Sequence, residues 1–514
     1  MYPAEIHRQL LEPGRYPQPT VAVSFRETHI SRVYLTDTYA YKVKKPLNLG
    51  FLNFSTLARR RFFCHEELRL NRRFSPEIYL DVVALREDRG QLHFGRKGRL
   101  VDYAVQMRRL PEERMLSTLL DHDDPTLPAE IARLAGHLAP LLATAEPCLH
   151  EGNIETVRAN ILGNLTQTES AIGLTVSAEA HGKMRDRLHS ELKCLAPLID
   201  RRAAQGAVRD GHGDLHAANI CMTDPVVVYD CIEFCRRFRV ADVAADLAFL
   251  LMDLESRGRR DLAGIFLDCY QRKADDPDLS SLLPLYKSYR AWVRGKVNTL
   301  LGAAIDVAMQ ERRAALERAR RYFNLALGYH AAPTLILTAG LMGVGKSSLA
   351  RALAVATGAH VLRSDVVRKE LAGHPTDGSG DTPFGNGLYS APMSARTYDE
   401  LRRRAAALVA AGESVIVDAA FGSAAERHKF LALAADTGLP PIFVHLHCTP
   451  DQALERLDRR QHLGGDPSDG RRDLYPRHAA AFEPFSPEMP VMEIDSSHPV
   501  DYNAQMILCQ LMRF

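Results

Sequence analysis

The chain has 514 residues, with 65 Lys and Arg against 63 Asp and Glu and a net charge of +2. That length implies two or three domains, and near neutrality offers no electrostatic basis for long nonspecific contacts with nucleic acid. The nine cysteines have neither zinc-finger nor redox spacing, and no apolar run nears the roughly twenty residues of a membrane span, so a reduced, cytoplasmic protein without membrane helices is expected.

In chain order, residues 21–25, 32–35 and 39–43 alternate as short strands. A charged helix is expected over 55–73, opened by Ser55 and carrying Glu66 and Glu67. Strands resume at 80–85 and 101–107, and a long helical region follows over 126–202. The block 211–233 reads as loop, strand, loop, and helices run from 241 to about 329. The segment Gly328-Tyr329-His330-Ala331-Ala332-Pro333 then breaks the pattern, which places a domain boundary there. Beyond it the rhythm is strand (334–339), helix (346–356), strand (361–363), helix (397–411) and strands at 414–417 and 442–447. Thr449-Pro450-Asp451-Gln452 is a capping box with proline at the first helical position. Buried strands separated by helices imply an α/β fold with a mostly parallel, doubly wound sheet.

Two phosphate-handling signatures stand in these two regions. The later one is Gly340-Leu341-Met342-Gly343-Val344-Gly345-Lys346-Ser347, set between an apolar strand and a helix. Its glycines let the backbone approach phosphates, and the N–H groups at the helix start point at them. Gly340, Gly343, Val344, Gly345, Lys346, Ser347 and Ser348 form the expected nucleotide set, with Lys346 reaching the β- and γ-phosphates and Ser347 on Mg²⁺. Asp365 is placed at the end of the second strand, where it can take a proton from an acceptor hydroxyl, and Arg368 can hold an anionic group of that acceptor. Asp418 ends the third strand and is a candidate for Mg²⁺ or its waters. Arg456, Arg459 and Arg460 share a helix face that can close over phosphates; Arg456 and Arg460 are the stronger candidates. The stretch 372–390 holds five glycines and no periodicity, as a substrate loop would. Residues 334–514 resemble the P-loop small-molecule kinases typified by gluconate kinase, zeta toxin and polynucleotide 5′-kinase. The resemblance implies ATP- or GTP-dependent phosphorylation of a hydroxyl.

The earlier signature is His212-Gly213-Asp214-Leu215-His216-Ala217-Ala218-Asn219, followed by Asp230 at the end of an apolar strand. Asp214 and Asn219 have the D-x-x-x-x-N spacing of a kinase catalytic loop. Asp214 can deprotonate an acceptor hydroxyl, while Asn219 and Asp230 can ligate Mg²⁺. In Tyr41-Lys42-Val43-Lys44 both lysines share one strand face. Lys42 is the first candidate for the donor phosphates and Lys44 the second, with Glu67, or else Glu66, as the pairing carboxylate. Residues 20–328 resemble the aminoglycoside phosphotransferases, which implies an α+β, two-lobed, protein-kinase-like fold and a supporting role for Asp246. The halves together resemble a bacterial family in which such a domain is fused to a P-loop ATPase. One departure is the turn Glu27-Thr28-His29-Ile30-Ser31, which lacks glycine. There Thr28 or Ser31 must substitute, or nucleotide is held more weakly.

The expected organisation is therefore a kinase-like domain over 1–328 (small lobe to about 110) and a P-loop domain over 334–514. The expected activity is bifunctional, Mg²⁺-dependent phosphoryl transfer to small hydroxylated acceptors such as a sugar, nucleoside or aminoglycoside-like molecule. Two alternatives stand beside it: one domain senses nucleotide to regulate the other, or the P-loop domain is a zeta-toxin-like or nucleotide kinase.

Overall fold

The computed structural model describes residues 4–50, 52–149, 151–305, 307–374, 390–439, 441–463 and 470–512. After helix α1 (Ala4–Leu10), strands β1 (Ser24–Glu27), β2 (Ser31–Leu35), β3 (Tyr39–Lys44), β4 (Tyr79–Asp88), β5 (Gln91–Phe94) and β6 (Arg99–Arg108) form an antiparallel sheet in the order β1-β2-β3-β6-β4-β5. Helix α2 (Leu57–Asn71) joins β3 to β4. Its cap is Thr56 rather than Ser55, because Asn53 Oδ1 already accepts from both the N–H and the hydroxyl of Ser55, while the Thr56 hydroxyl accepts from Arg59 N–H. Alternation along β3 sets the layers. Tyr41 and Val43 pack with Leu10, Tyr34, Leu85 and Phe94 on one face, and Lys42 and Lys44 reach Glu67 of α2 on the other.

After α3 (Leu116–Asp121), the long helical region expected over 126–202 is divided into α4 (Leu127–Ala143), α5 (Ile154–Thr166) and α6 (Ala178–Ala204). Pro147, which bridges to Arg209, and the 3₁₀ turn Glu169–Ala171 interrupt it. Two short antiparallel ladders follow, β7 (Val208–Asp210) with β10 (Val240–Asp242) and β8 (Ile220–Cys221) with β9 (Val227–Val228). With α7 (Arg236–Arg239) and α8 (Val243–Ser256) they frame the 211–233 segment. Helices α9 (Arg260–Gln271), α10 (Leu279–Ala303) and α11 (Met309–Gly328) complete this part. The single tryptophan, Trp292, is a core residue: it meets Phe323 edge-on at 4.7 Å and donates to Thr168 Oγ1 at 2.9 Å.

Past the Gly328–Pro333 break, β11 (Leu335–Ala339) is buried along its whole length, as a central parallel strand must be. It is followed by α12 (Lys346–Thr357), β12 (His360–Arg363), α13 (Ser364–Ala372), α14 (Ala391–Ala410), β13 (Val415–Asp418), α15 (Ala424–Thr437), β14 (Pro441–His447), α16 (Pro450–Leu463), α17 (Tyr475–Ala480), β15 (Val491–Asp495) and α18 (Val500–Leu511). The sheet order is β12-β13-β11-β14-β15, and every pairing is parallel. Leu335, Leu337, Val415, Val417, Phe421, Phe430 and Phe443 form its core. The capping box at the start of α16 is present: Thr449 Oγ1 accepts from Gln452 N–H, and Gln452 Oε1 accepts from Thr449 N–H.

The architecture is thus a two-lobed, protein-kinase-like fold followed by a P-loop α/β fold. Residue contacts divide the chain into two compact units. One is Met1–Ala159 with Leu192–Glu255 and Arg259–Lys287; the other is Asn160–Glu191 with Ser256–Gly258 and Ser288–Phe514. The 328–333 break marks where helices give way to the parallel sheet, whereas the limits of compactness fall earlier, within α5, α6 and α10 and at the junction of α8 and α9. No helix among the described residues is long and apolar enough to cross a membrane.

Candidate active sites

The first site begins where the chain leaves β7. Gly213 has φ +81°, and a Cβ there would stand 2.9 Å from the Phe238 carbonyl oxygen, so only glycine fits this turn. Asp246, in the first turn of α8, accepts the N–H groups of His212 at 2.7 Å and Gly213 at 2.8 Å. His212 is sealed in the core. Its Nδ1 accepts from Asp214 N–H at 3.2 Å, which leaves Nε2 to donate to the Tyr229 carbonyl at 2.9 Å; burial lowers its pKa and keeps the ring neutral. Asn219 Nδ2 donates to the Asp214 backbone oxygen at 3.0 Å and to its carboxylate Oδ2 at 3.2 Å, so the amide oxygen is the group left for a cation. Tyr229 N–H donates to the Asn219 carbonyl at 3.0 Å, which ties the loop to the residue preceding Asp230.

Asp230 itself is held at φ +65°, with its N–H donating to the Tyr79 hydroxyl at 3.0 Å. Cys231 N–H is pinned in turn by Asn71 of α2, at 2.8 Å. Lys42 Nζ lies between Glu67 Oε1, at 2.7 Å, and Asp230 Oδ1. Lys44 Nζ lies between Glu67 Oε2, at 2.6 Å, and Glu233 Oε1. Burial opposes charge on Lys42, but the Asp230, Glu67 and Glu233 carboxylates overcome it and hold the pKa well above the ordinary lysine range. Burial likewise works against ionised Glu67, and the two ammoniums prevail and pull its pKa down. Burial raises the pKa of Glu233. Of the two glutamates weighed from sequence, Glu67 meets the lysines, while Glu66 pairs with Arg69 at 2.8 Å. In the turn without glycine, Thr28 Oγ1 accepts from Ser31 N–H at 2.9 Å, so that hydroxyl closes the turn itself, and Ser31 is buried.

The second site is built on the loop between β11 and α12. Gly340 has φ +126°, and a Cβ there would fall 2.3 Å from the Leu446 carbonyl oxygen. Gly343 and Gly345 also have positive φ, Val344 is buried beneath the loop, and Ser348 is exposed on α12. Lys346 turns its ammonium inward, donating to the carbonyls of Gly340 at 2.9 Å and Leu341 at 2.8 Å. Burial brings its pKa down to about 8; Arg460 adds to the effect, and Asp418 and Asp365 oppose it. The Ser347 hydroxyl hydrogen-bonds Asp418, whose pKa burial raises. Arg363 Nε stands 3.5 Å from Asp418 Oδ2.

Asp365 does not end a strand. β12 stops at Arg363, and Asp365 lies in the first turn of α13, where a carboxylate is favoured by the helix dipole and Arg368 one turn on pairs with it at 2.9 Å. On α16, Arg456 donates to Ser496, at 3.0 Å to its hydroxyl and 2.7 Å to its carbonyl, and Arg460 donates to the Gly470 carbonyl at 2.5 Å. Arg459 is exposed. Most of the glycine-rich stretch expected as a substrate loop, 375–389, lies outside the described residues.

Several participants carried little or no sequence signal. Asp253 accepts from Ala217 N–H at 3.0 Å, and Glu233 completes the lysine pairing. His478 of α17 accepts from Met342 N–H in the phosphate loop at 3.3 Å; burial, with Lys346 adding, lowers its pKa to about 4. Glu233 alone had a hint, standing three residues after a candidate metal carboxylate. Among the described residues no group of three or more His, Cys, Asp or Glu is arranged to hold a metal. The donors present are oxygens, of Asn219 and Asp230 in one site and Ser347 and Asp418 in the other. Such a set fits a hard cation that keeps waters and shares substrate phosphates, as Mg²⁺ does.

A family profile described as an AAA domain matches residues 335–485. Among solved structures, a gluconokinase from Sinorhizobium meliloti 1021 is 21% identical, over 35% of this chain and 95% of that one, with a TM-score of 0.27. A choline/ethanolamine kinase family protein from Mesorhizobium loti is 13% identical, over 69% of this chain and 99% of that one, with a TM-score of 0.40. The protein Rv2004c of Mycobacterium tuberculosis is 30% identical over 444 residues, which is 85% of this chain and 86% of its own. On that extent of shared sequence, the chain belongs to the family of Rv2004c.

Proposed function

We propose that this chain is a phosphotransferase with two sites, one in each of the modules 1–328 and 334–514, moving the terminal phosphoryl group of ATP or GTP onto hydroxyls of small molecules. The observation that carries the reading is Lys42 set between Glu67 and Asp230, the latter on a segment tied through Tyr229 to the Asp214–Asn219 pair. Those are the groups needed to neutralise a triphosphate and to deprotonate an alcohol.

In the first site the Asp214 carboxylate takes the acceptor proton as the acceptor oxygen bonds to the γ-phosphorus. The bond from that phosphorus to the bridging oxygen breaks, and the nucleoside diphosphate leaves with the electron pair. Lys42 stabilises the charge on the donor phosphates, and Asp246 keeps the loop in register. In the second site the loop N–H groups and Lys346 grip the triphosphate, Asp365 accepts the acceptor proton, and Arg368 draws an anionic acceptor group; Arg456 and Arg460 close on the phosphates. Asn219 and Asp230, and separately Ser347 and Asp418, would hold Mg²⁺, which when bound supplies charge neutralisation to the phosphates.

Metabolite libraries incubated with ATP or GTP and read by mass spectrometry test the reading, since each transfer adds about 80 daltons, one phosphoryl group. Asp214→Ala is expected to remove one set of products and Lys346→Ala another. No gain with any acceptor would overturn it. A second reading, in which the first module senses nucleotide for the other, is favoured by the glycine-free turn that Thr28 closes on itself. Catalysis untouched by Asp214→Ala selects that one.

A further inference from the structure

The two lysines of β3 stand in a ring of four ion pairs that the backbone from Asp230 to Glu233 closes. Glu67 gives one oxygen to each lysine, and each lysine then meets a different carboxylate of the four-residue segment from Asp230 to Glu233. The geometry points to a division of labour: Lys42 is the exchangeable ligand of donor phosphates, and Lys44 with Glu233 is a permanent brace that positions Lys42 through Glu67. This rests on the first-site reading above and deepens it.

Burial separates the two halves of the ring. Lys44 and Glu67 are 0% exposed and Glu233 3%, while the Asp230 side chain is 37% exposed. The Phe54 ring covers Lys44 Nζ at 4.8 Å from its centre. For Lys44 to reach a phosphate it would have to leave the sealed Glu233 without this counter-charge and Glu67 with Lys42 alone, which a buried site resists strongly. Lys42 surrenders only the contact with Asp230, whose oxygen can pass to water or a cation. The ring holds two ammoniums against three carboxylates, and the excess negative charge falls where solvent reaches it, at Asp230. Asp230 would hold a cation there in place of Lys42, leaving the Lys42 ammonium to the donor phosphates. Glu233 is needed because Lys44, deprived of it, keeps Glu67 as its one carboxylate among the described residues and draws that group away from Lys42. Glu233 is therefore a positioning residue that touches no substrate.

The test uses the full chain carrying Lys346→Ala, so that a fluorescent ATP analogue with Mg²⁺ reports the first site. Glu233→Gln is expected to weaken binding about tenfold, the scale of a lost supporting contact. Combined with Lys42→Met, the same change is expected to cost less than about twofold more, because its effect passes through Lys42. Unchanged affinity in the Glu233→Gln chain, or an equal tenfold loss in both backgrounds, overturns the proposal; the latter is what a merely structural role produces. An absence of saturable binding in the Lys346→Ala chain removes the first-site reading itself and this proposal with it. A second measurement needs no variant. An acyl-phosphate derivative of ATP acylates the lysine amine against its phosphates, and peptide sequencing is expected to find the label on Lys42 and none on Lys44. Label on Lys44 instead overturns the assignment.

Discussion

Nucleotide binding at the second site should take up a proton, and the structure sets how much. Lys346 is held to a pKa of about 8 by burial in the loop, against an ordinary 10.5. At pH 8 about half of the free chains therefore carry a neutral lysine, at pH 9 roughly nine-tenths, and at pH 7 roughly one-tenth. Phosphates bound beside the amine favour its charged form and raise the pKa. Binding of Mg-ADP then takes up about half a proton at pH 8 and nearly a whole one at pH 9, and affinity falls as pH rises through this window. Calorimetry in buffers of different ionisation enthalpy gives the uptake directly, and Lys346→Ala supplies the background to subtract. The sign for stability follows from the same shift. Between about 8 and 10.5 the unfolded chain holds the proton that the folded lysine has lost, so this group's contribution to folded-state stability rises with pH across that interval. Equal uptake in the unaltered and Lys346→Ala chains at pH 9, or none in either, would refute the reasoning.

Other consequences are more local. Asp246→Ala strips the acceptor from two buried N–H groups at 2.7 and 2.8 Å, so a loss of about 3 kcal/mol is expected in chemical unfolding followed by a probe in the first unit, together with loss of first-site turnover. Gly213→Ala forces a side chain into φ +81° with its Cβ 2.9 Å from Phe238 O; a cost of about 1–3 kcal/mol is expected, and a melting temperature within a degree of the parent would contradict it. Gly340→Ala drives a Cβ to 2.3 Å from Leu446 O and should abolish nucleotide binding at the second site while binding at the first survives.

The phosphate loop was readable because its glycines are dictated locally, by a strand that must turn straight into a helix; Gly340 and Lys346 fall where the spacing puts them. The catalytic loop was readable for a similar reason, since Asp214 and Asn219 are joined within a few residues of chain. Partnerships across the fold were not readable. Glu233 lies 189 residues from Lys44 and His478 lies 136 residues from Met342, and no local pattern records which surfaces the fold brings together. Strand β5 went unexpected because four residues of mixed exposure, Gln91–Phe94, are too short for a period to show. The edge strand β15 was missed because Met-Glu-Ile-Asp alternates too weakly to stand out. Asp365 was displaced by two residues because Ser364-Asp365 is as good a helix start as a strand end, and its pairing with Arg368 decides for the helix.

The most direct measurement of the central claim is nucleotide stoichiometry in the intact chain, by equilibrium dialysis with Mg-ADP at saturation. Two nucleotides per chain are predicted, with one lost in Lys346→Ala, the other lost in Asp230→Ala, and none bound when both are changed. A single nucleotide bound by the unaltered chain, or two still bound by either single variant, would contradict the account.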